Sequence, residues 1–258
     1  MARLFLILRI FSIIPFRFEF LSFLEKFAAI SQGKGWGSLS IHQEVNSCLS
    51  LLKKEPQIFI DIGANKGLYS KFLLKKIGNV ECHLFEPSRH NSMILKELFS
   101  SFDQVKINEI ALSNANSKAK LFSDKPGSPL SSLSKRRLDH LNINMEIEEL
   151  VEIQRFEEYW KYNYPIIDYV KIDVEGHELD VLDGFGDLIK QVRLIQFEFG
   201  GCNIDTRTYF QDFWYFFKDN DFSIYRITPL GPLRIKRYLE QYEFFSTTNY
   251  IALNNQLR

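Results

Sequence analysis

The stretch Phe59-Ile60-Asp61-Ile62-Gly63-Ala64-Asn65-Lys66-Gly67 constrains this chain more than any other. An apolar run passes directly into a small-residue turn, and Leu68, Phe72, Leu73 and Ile77 then share one face of a helix expected from Leu68 to Lys76. Such a unit builds a crevice where the strand's carboxyl end meets the helix's amino end. Gly63 and Gly67 let the turn fold tightly and let a ligand approach the backbone. The spacing is Gly-x-x-x-Gly, with Asn65 where a dinucleotide fingerprint carries its middle glycine. Asp61 also argues against a pyrophosphate, because a carboxylate ~5 Å from a phosphate charge costs about 3 kcal/mol at an effective dielectric of 20. The same carboxylate attracts a cation. Glu86 ends the next expected strand, in Leu84-Phe85-Glu86-Pro87, where an acid can accept hydrogen bonds from both hydroxyls of a ribose. Together these residues suit a nucleoside cofactor that carries positive charge. The plainer alternative makes Asp61 a helix-cap carboxylate and Glu86 a surface residue.

From Gln57 onward, short β-rich runs alternate with helical periodicity, which is the pattern of a doubly wound α/β sheet. Strands are expected at 58–62, 80–85, 105–112, 166–174, 193–199, 222–227 and 245–253. Helices are expected at 68–76, at 88–99 with Ser88 as its cap, from Glu178 onward, and at 208–218. Ser123 to Ser134, with Pro126, Gly127 and Pro129, reads as a loop, and 135–165 carries no clear pattern. Arg234, Lys236 and Arg237 belong to a basic, proline-containing excursion between the last two strands. Phe213 to Phe217 read as a helix packed on the sheet, with Trp214 or Tyr215 as alternative stacking platforms for a sugar ring. The chain divides into a mostly helical N-terminal extension, 1–56, and one large domain, 57–258.

A hydrophobic content of 45% is ample for such a core and excludes general disorder. Thirty-two basic and 32 acidic residues leave no net field to attract nucleic acid. Cys48, Cys82 and Cys202 are too few for a disulfide framework or a four-cysteine zinc site, so a reducing, cytoplasmic setting is expected. The apolar run from Leu4 to Ile14 is split by Arg9 and stopped by Pro15, short of the ~20 residues a spanning helix needs. Two readings remain for it: a helix packed on the domain, or an interfacial helix with Arg3, Arg9 and Arg17 toward lipid headgroups, giving peripheral membrane contact through residues 1–30.

The block Val170-Lys171-Ile172-Asp173-Val174-Glu175-Gly176-His177-Glu178 holds the densest chemistry. Alternation along a strand puts Lys171 and Asp173 on one face, with Asp173 at the carboxyl edge where ligands bind. An imidazole is suited to take a proton from an attacking group at physiological pH, which makes His177 a candidate base, whereas Lys171 would first need desolvation to become neutral. Asp173 and Glu175 can position an acceptor or hold a cofactor's ammonium group. A divalent ion on Asp173, Glu175 and Glu198 is a further option, and the plain alternative is a helix-capping acidic cluster paired with Lys171. His42, His83, His90 and His140 show no ligand spacing.

Three blocks, residues 59–67, Glu109-Ile110-Ala111-Leu112-Ser113 and residues 170–178, resemble the FkbM family of S-adenosylmethionine-dependent methyltransferases over roughly residues 57–253. The resemblance implies the Rossmann-like class I methyltransferase fold, a seven-stranded, mostly parallel sheet with helices on both faces, here with a helical N-terminal extension. It implies Asp61, Gly63, Ala64, Asn65 and Gly67 around the amino acid part of S-adenosyl-L-methionine, Glu86 on its ribose, and the turn from Glu109 to Ala111 beside adenine. It also implies O-methylation of a small-molecule or saccharide acceptor, as in polysaccharide or natural-product pathways; on the chemistry of the block 170–178, Asp173, Glu175, His177 and Lys171 then belong at the reacting centre. A nicotinamide-dependent oxidoreductase, or a binding protein that retains the fold without catalysis, are the alternatives.

Overall fold

The computed structural model describes residues 17–36, 41–160 and 166–257. The expected helix at 4–14 lies outside the described residues. The main sheet is built from β1 (Ile58–Ile62), β2 (Glu81–Phe85), β3 (Val105–Asn108), β7 (Ile167–Ile172), β8 (Val192–Phe199), β9 (Phe222–Thr228), β10 (Gly231–Ile235) and β11 (Thr248–Asn254). Its order is β10-β9-β11-β8-β7-β1-β2-β3. The five strands from β8 to β3 are parallel, and β11, β9 and β10 add antiparallel pairs. Eight strands therefore stand where seven were expected. The additional one, β10, is the basic excursion folded back on β9 as a hairpin; it escapes a sequence reading because Pro232 sits inside it, which an edge strand tolerates.

A second sheet, ordered β4-β6-β5, comprises β4 (Ala111–Leu112), β5 (Ser117–Ser123) and β6 (Ile147–Gln154). The run expected as one strand over 105–112 thus splits between two sheets: Asn108 ends the pairing with β2, and Ala111 begins the pairing with β6. β6 falls in the stretch with no clear sequence pattern, because its ladder partners belong to this small sheet rather than to the main core.

Eight α-helices complete the described chain: α1 (Arg17–Ser31), α2 (Ile41–Leu51), α3 (Leu68–Ile77), α4 (Arg89–Leu98), α5 (Phe156–Trp160), α6 (Glu178–Asp183), the short α7 (Cys202–Thr206) and α8 (Phe210–Asp219). Strand alternation sorts the core into two layers. Ile58, Ile60 and Ile62 join Val170, Ile195 and Phe197 under α5, α6 and α8, where Phe156, Leu182, Phe213 and Phe217 are buried. Phe59, Tyr169 and Leu194 face the opposite way, under Val45 and Cys48 of α2, Leu73 of α3 and Leu95 of α4. Helix α2 is therefore part of the domain's packing although it lies before residue 57. Helix α1 behaves differently: Phe23 and Phe27 are each 63% exposed, and Leu24 is exposed beside them. Among the described residues no helix is long and apolar enough to cross a membrane.

Candidate active site

The turn after β1 is tied down from both sides. Backbone N–H groups of Gly63 and Ala64 donate to the Phe85 carbonyl at 2.9 and 3.0 Å, and the Asp173 N–H donates to the Ile62 carbonyl at 3.0 Å. Gly63 has φ +81°, and a Cβ there would lie 1.9 Å from the Asp173 carbonyl oxygen, so no other residue fits that crossing. Gly67 serves packing instead: a Cβ there would meet Leu95 and Phe99 of the helix layer. Ser88 precedes α4 as expected, but its side chain makes no cap bond, and its N–H donates to Glu86.

Three clefts border this turn: two on opposite sides of it, and one of about 690 Å³ lined by Arg136, Arg137, Asp173, Glu175 and Glu198. The first is walled by Phe85, Ile110, Ala111 and Leu112, with Gly63, Asn65 and Glu86 at its floor and Asp173, Glu175 and His177 at its far end. Residues Ser128 to Leu133 lie across it and reduce its free volume to about 60 Å³. Small-ligand sites start at roughly 300 Å³, so the cleft as it stands is smaller than a nucleoside needs. Glu86 is nearly fully buried, and its carboxylate accepts N–H bonds from Asn65 at 2.8 Å and Ser88 at 3.0 Å. Burial pushes it up to about 7. The Asn91 side chain also bonds this carboxylate, and of its roughly four acceptor positions about one is left for a further donor. The cleft thus offers apolar walls on one side and the Glu86 carboxylate at its floor. Glu109, however, turns away from this cleft to Ser92 (2.9 Å) and Lys96 (2.8 Å), so only Ile110 and Ala111 of that turn line the wall.

Asp61 lines none of these clefts. Its fully buried carboxylate accepts the Ser70 hydroxyl at 2.5 Å and lies 3.7 Å from the Lys171 ammonium. Burial raises it, against the opposing pull of Lys171 and Ser70. The strand register explains the grouping: Asp61, Lys171 and Gln196 sit side by side across β1, β7 and β8, and Glu198 sits opposite Asn249 of β11. All face the α2 and α3 layer. Burial alone would lower Lys171, but Asp173, Asp61 and Glu44 outweigh it and hold the amine above its ordinary value. Lys171 is therefore a cation in this site rather than a neutral base.

The loop after β7 carries the remaining candidates. Glu178, fully buried, accepts the N–H groups of Val174 (3.1 Å) and Gly176 (3.0 Å), which shapes the bend that presents Asp173 and Glu175. Glu175 is raised by burial and by Asp173, despite the Arg136 guanidinium 2.5 Å away. Glu198 is raised by burial, then by Asp173 and Glu175. One oxygen each from Asp173, Glu175 and Glu198 fall within 4.8 Å of one another. His177 is held at Nδ1 by Asp180 (2.8 Å) and meets the Ser134 hydroxyl at Nε2 (2.9 Å). Arg136 and Ser134 come from the stretch that gave no sequence signal. Glu44, Gln196 and Asn249 were also missed, although a lone Gln within the apolar run of β8 is a readable oddity.

A strand order of parallel β3-β2-β1-β7-β8 closed by antiparallel β11 and β9, with a glycine turn and the buried Glu86 at the sheet's carboxyl edge, defines a Rossmann-like class I methyltransferase fold. The FkbM methyltransferase domain matches residues 61–224, more than half of the chain, and the protein belongs to that family. The oxidoreductase alternative is thereby set aside. Among curated proteins it is 24% identical over 176 residues to the 2-O-methyltransferase NoeI of Sinorhizobium fredii, covering 64% of this chain and 71% of that one. Among solved structures it is similar to the plantazolicin methyltransferase BamL, in complex with a triazolic desmethylPZN analog and SAH (TM-score 0.48, 12% identity, 95% of this chain and 93% of that one). Another is the precorrin-6y C5,15-methyltransferase of Geobacter metallireducens (TM-score 0.43, 12% identity, 83% and 87%). The methyl donor of the family is S-adenosyl-L-methionine.

Proposed function

We propose that the protein methylates a hydroxyl oxygen of a saccharide or related small metabolite. The observation that carries this reading is the His177 ring at the end of the first cleft, bound to Asp180 at Nδ1. A carboxylate there retains the proton on Nδ1 and leaves Nε2 as the basic nitrogen. Bound S-adenosyl-L-methionine supplies an electrophilic methyl on a sulfonium. The chain's own part is to receive the acceptor's proton: it passes to His177 Nε2, across the Ser134 hydroxyl that already bonds this atom, and Asp180 stabilises the imidazolium. Gly63, Ala64, Asn65 and Glu86 hold the cofactor, and Asp173 and Glu175 border the reacting centre. The name of the relative NoeI, a 2-O-methyltransferase, supports oxygen as the acceptor atom.

The test incubates the full chain with isotope-labelled S-adenosyl-L-methionine and glycan and metabolite extracts, followed by mass spectrometry. A labelled methyl ether supports the reading, and label found solely on nitrogen or carbon refutes it. His177→Ala should lower turnover about a hundredfold or more with S-adenosylhomocysteine affinity unchanged.

The grouping of Asp173, Glu175 and Glu198 favours a second reading, in which a divalent ion polarises the acceptor hydroxyl. Loss of turnover in EDTA with recovery in Mg2+ selects it; turnover unaffected by EDTA selects His177 alone. The exposed Phe23, Leu24 and Phe27 of α1 support peripheral contact with a lipid surface. Co-sedimentation with anionic vesicles that is lost on Phe23→Glu with Phe27→Glu checks this.

A further inference from the structure

The second cleft, of about 350 Å³, lies on the other side of the same turn. Its walls are Glu44 of α2, Tyr69 of α3, Lys171, Asp173, Glu198 and Asn249. It shares Gly63, Asn65 and Asp173 with the first cleft, so the two meet where a methyl group has to change hands. Its volume falls within the range of sites that take small ligands. Glu44 and Asn249 lie outside the part of the chain that matches the family, residues 61–224.

Glu44 is only 7% exposed, and its Oε2 accepts the Gln196 amide at 2.6 Å. Gln196 is itself fixed by Tyr69, Tyr169, Cys48 and Asn249. The other oxygen, Oε1, has no hydrogen-bond partner among the described residues and lines the cleft. A carboxylate oxygen that lines a cleft with its lone pairs unused can accept a hydroxyl donor. A hydroxyl meets it without a clash of charge, whereas a phosphate or carboxylate brings like charge against it. Lys171 supplies a donor across the cleft to a ring or hydroxyl oxygen. We propose that this cleft receives the methyl acceptor as a neutral polyhydroxylated molecule, with Glu44 accepting one of its hydroxyls. The inference rests on the O-methyltransferase reading and narrows its substrate class.

The experiment uses the full chain, wild type and Glu44→Gln, the latter keeping an acceptor for Gln196. Neutral methyl glycosides and neutral oligosaccharides are compared with sugar phosphates and uronates, by labelled methyl transfer and by ligand-observed NMR in the presence of S-adenosylhomocysteine. The expected result is binding and transfer confined to the neutral set. Glu44→Gln should raise KM about tenfold or more, the loss of one hydrogen bond to a charged group, with kcat and S-adenosylhomocysteine affinity within twofold and Glu44→Asp partly restoring KM. Preference for anionic sugars, absence of binding across the neutral set, or an unchanged KM in a folded Glu44→Gln overturns the inference while leaving O-methylation intact. Failure to bind S-adenosylhomocysteine overturns the O-methyltransferase reading instead.

Discussion

The first and second clefts share one turn yet differ in what surrounds it. The first is apolar, with a single buried acid at its floor and a loop drawn across it; the second is open, lined by acids and an ammonium. Their walls come from different parts of the chain. Most of those of the first belong to the turn after β1, to β2, the turn after β3 and the loop after β5, with the loop after β7 at the far end. Those of the second are gathered from α2, β7, β8 and β11 by the sheet order. A fixed cofactor and a variable acceptor make that division physically reasonable: local segments repeat a shape, while distant ones are free to differ.

Asp173 borders both clefts, so its loss tests their junction most severely. Asp173→Ala should lower single-turnover methyl transfer about a thousandfold, within the range of acid–base contributions, while calorimetric S-adenosylhomocysteine affinity changes less than tenfold. Equal losses in both would place Asp173 with the cofactor alone. Gly63→Ala attacks the turn itself. A Cβ against the Asp173 carbonyl at positive φ should destabilise the fold by about 3 kcal/mol or more, read as a fall of roughly 6–12 °C in thermal midpoint. A midpoint within a degree of wild type would show the turn to be pliable.

Glu86→Gln should weaken S-adenosylhomocysteine binding about tenfold or more, as for a charged hydrogen bond, with kcat at saturation little changed. Asp61→Asn should weaken it less than threefold, since Asp61 bonds Ser70 and faces Lys171 rather than the cleft. The reverse ranking would return Asp61 to direct cofactor contact.

A separate comparison lies in pH dependence. Glu44 and Glu86 are both pushed up to about 7 in the folded chain, chiefly by burial. Each binds its proton more tightly folded than unfolded, so its contribution is favourable below the unfolded carboxylate value and is lost as pH rises toward about 7. Between pH 5 and pH 8 each should remove up to about 3 kcal/mol of stability. Urea denaturation of Glu44→Gln should show a weaker fall than wild type over that interval; parallel curves would remove Glu44 from the account.

Much of the first cleft was readable before folding was considered. Gly63, Asn65 and Glu86 stand at fixed positions relative to strand ends, and strand-to-helix turns are local events. Asp61 shows the limit of that reasoning: residue type and position suggested contact with a cation, and the cation beside it is Lys171 from a strand more than a hundred residues away. Glu109 was likewise drawn off by Lys96, one helix earlier. The pairing of Arg136 with Glu175 and of Ser134 with His177 had no local signal, because the segment between β5 and β6 has meaning only against the loop it covers.

The linear chain by itself determined the alternating α/β class, the glycine turn and the acids at the strand ends, because each depends on the period and chemistry of neighbouring residues. Only the tertiary structure decided that α2 belongs to the catalytic domain, that an eighth strand closes the edge, and that Glu44, Lys171, Glu198 and Asn249 face one another. Those are consequences of strand order and register, which bring distant side chains together through pairings that no short stretch of sequence encodes.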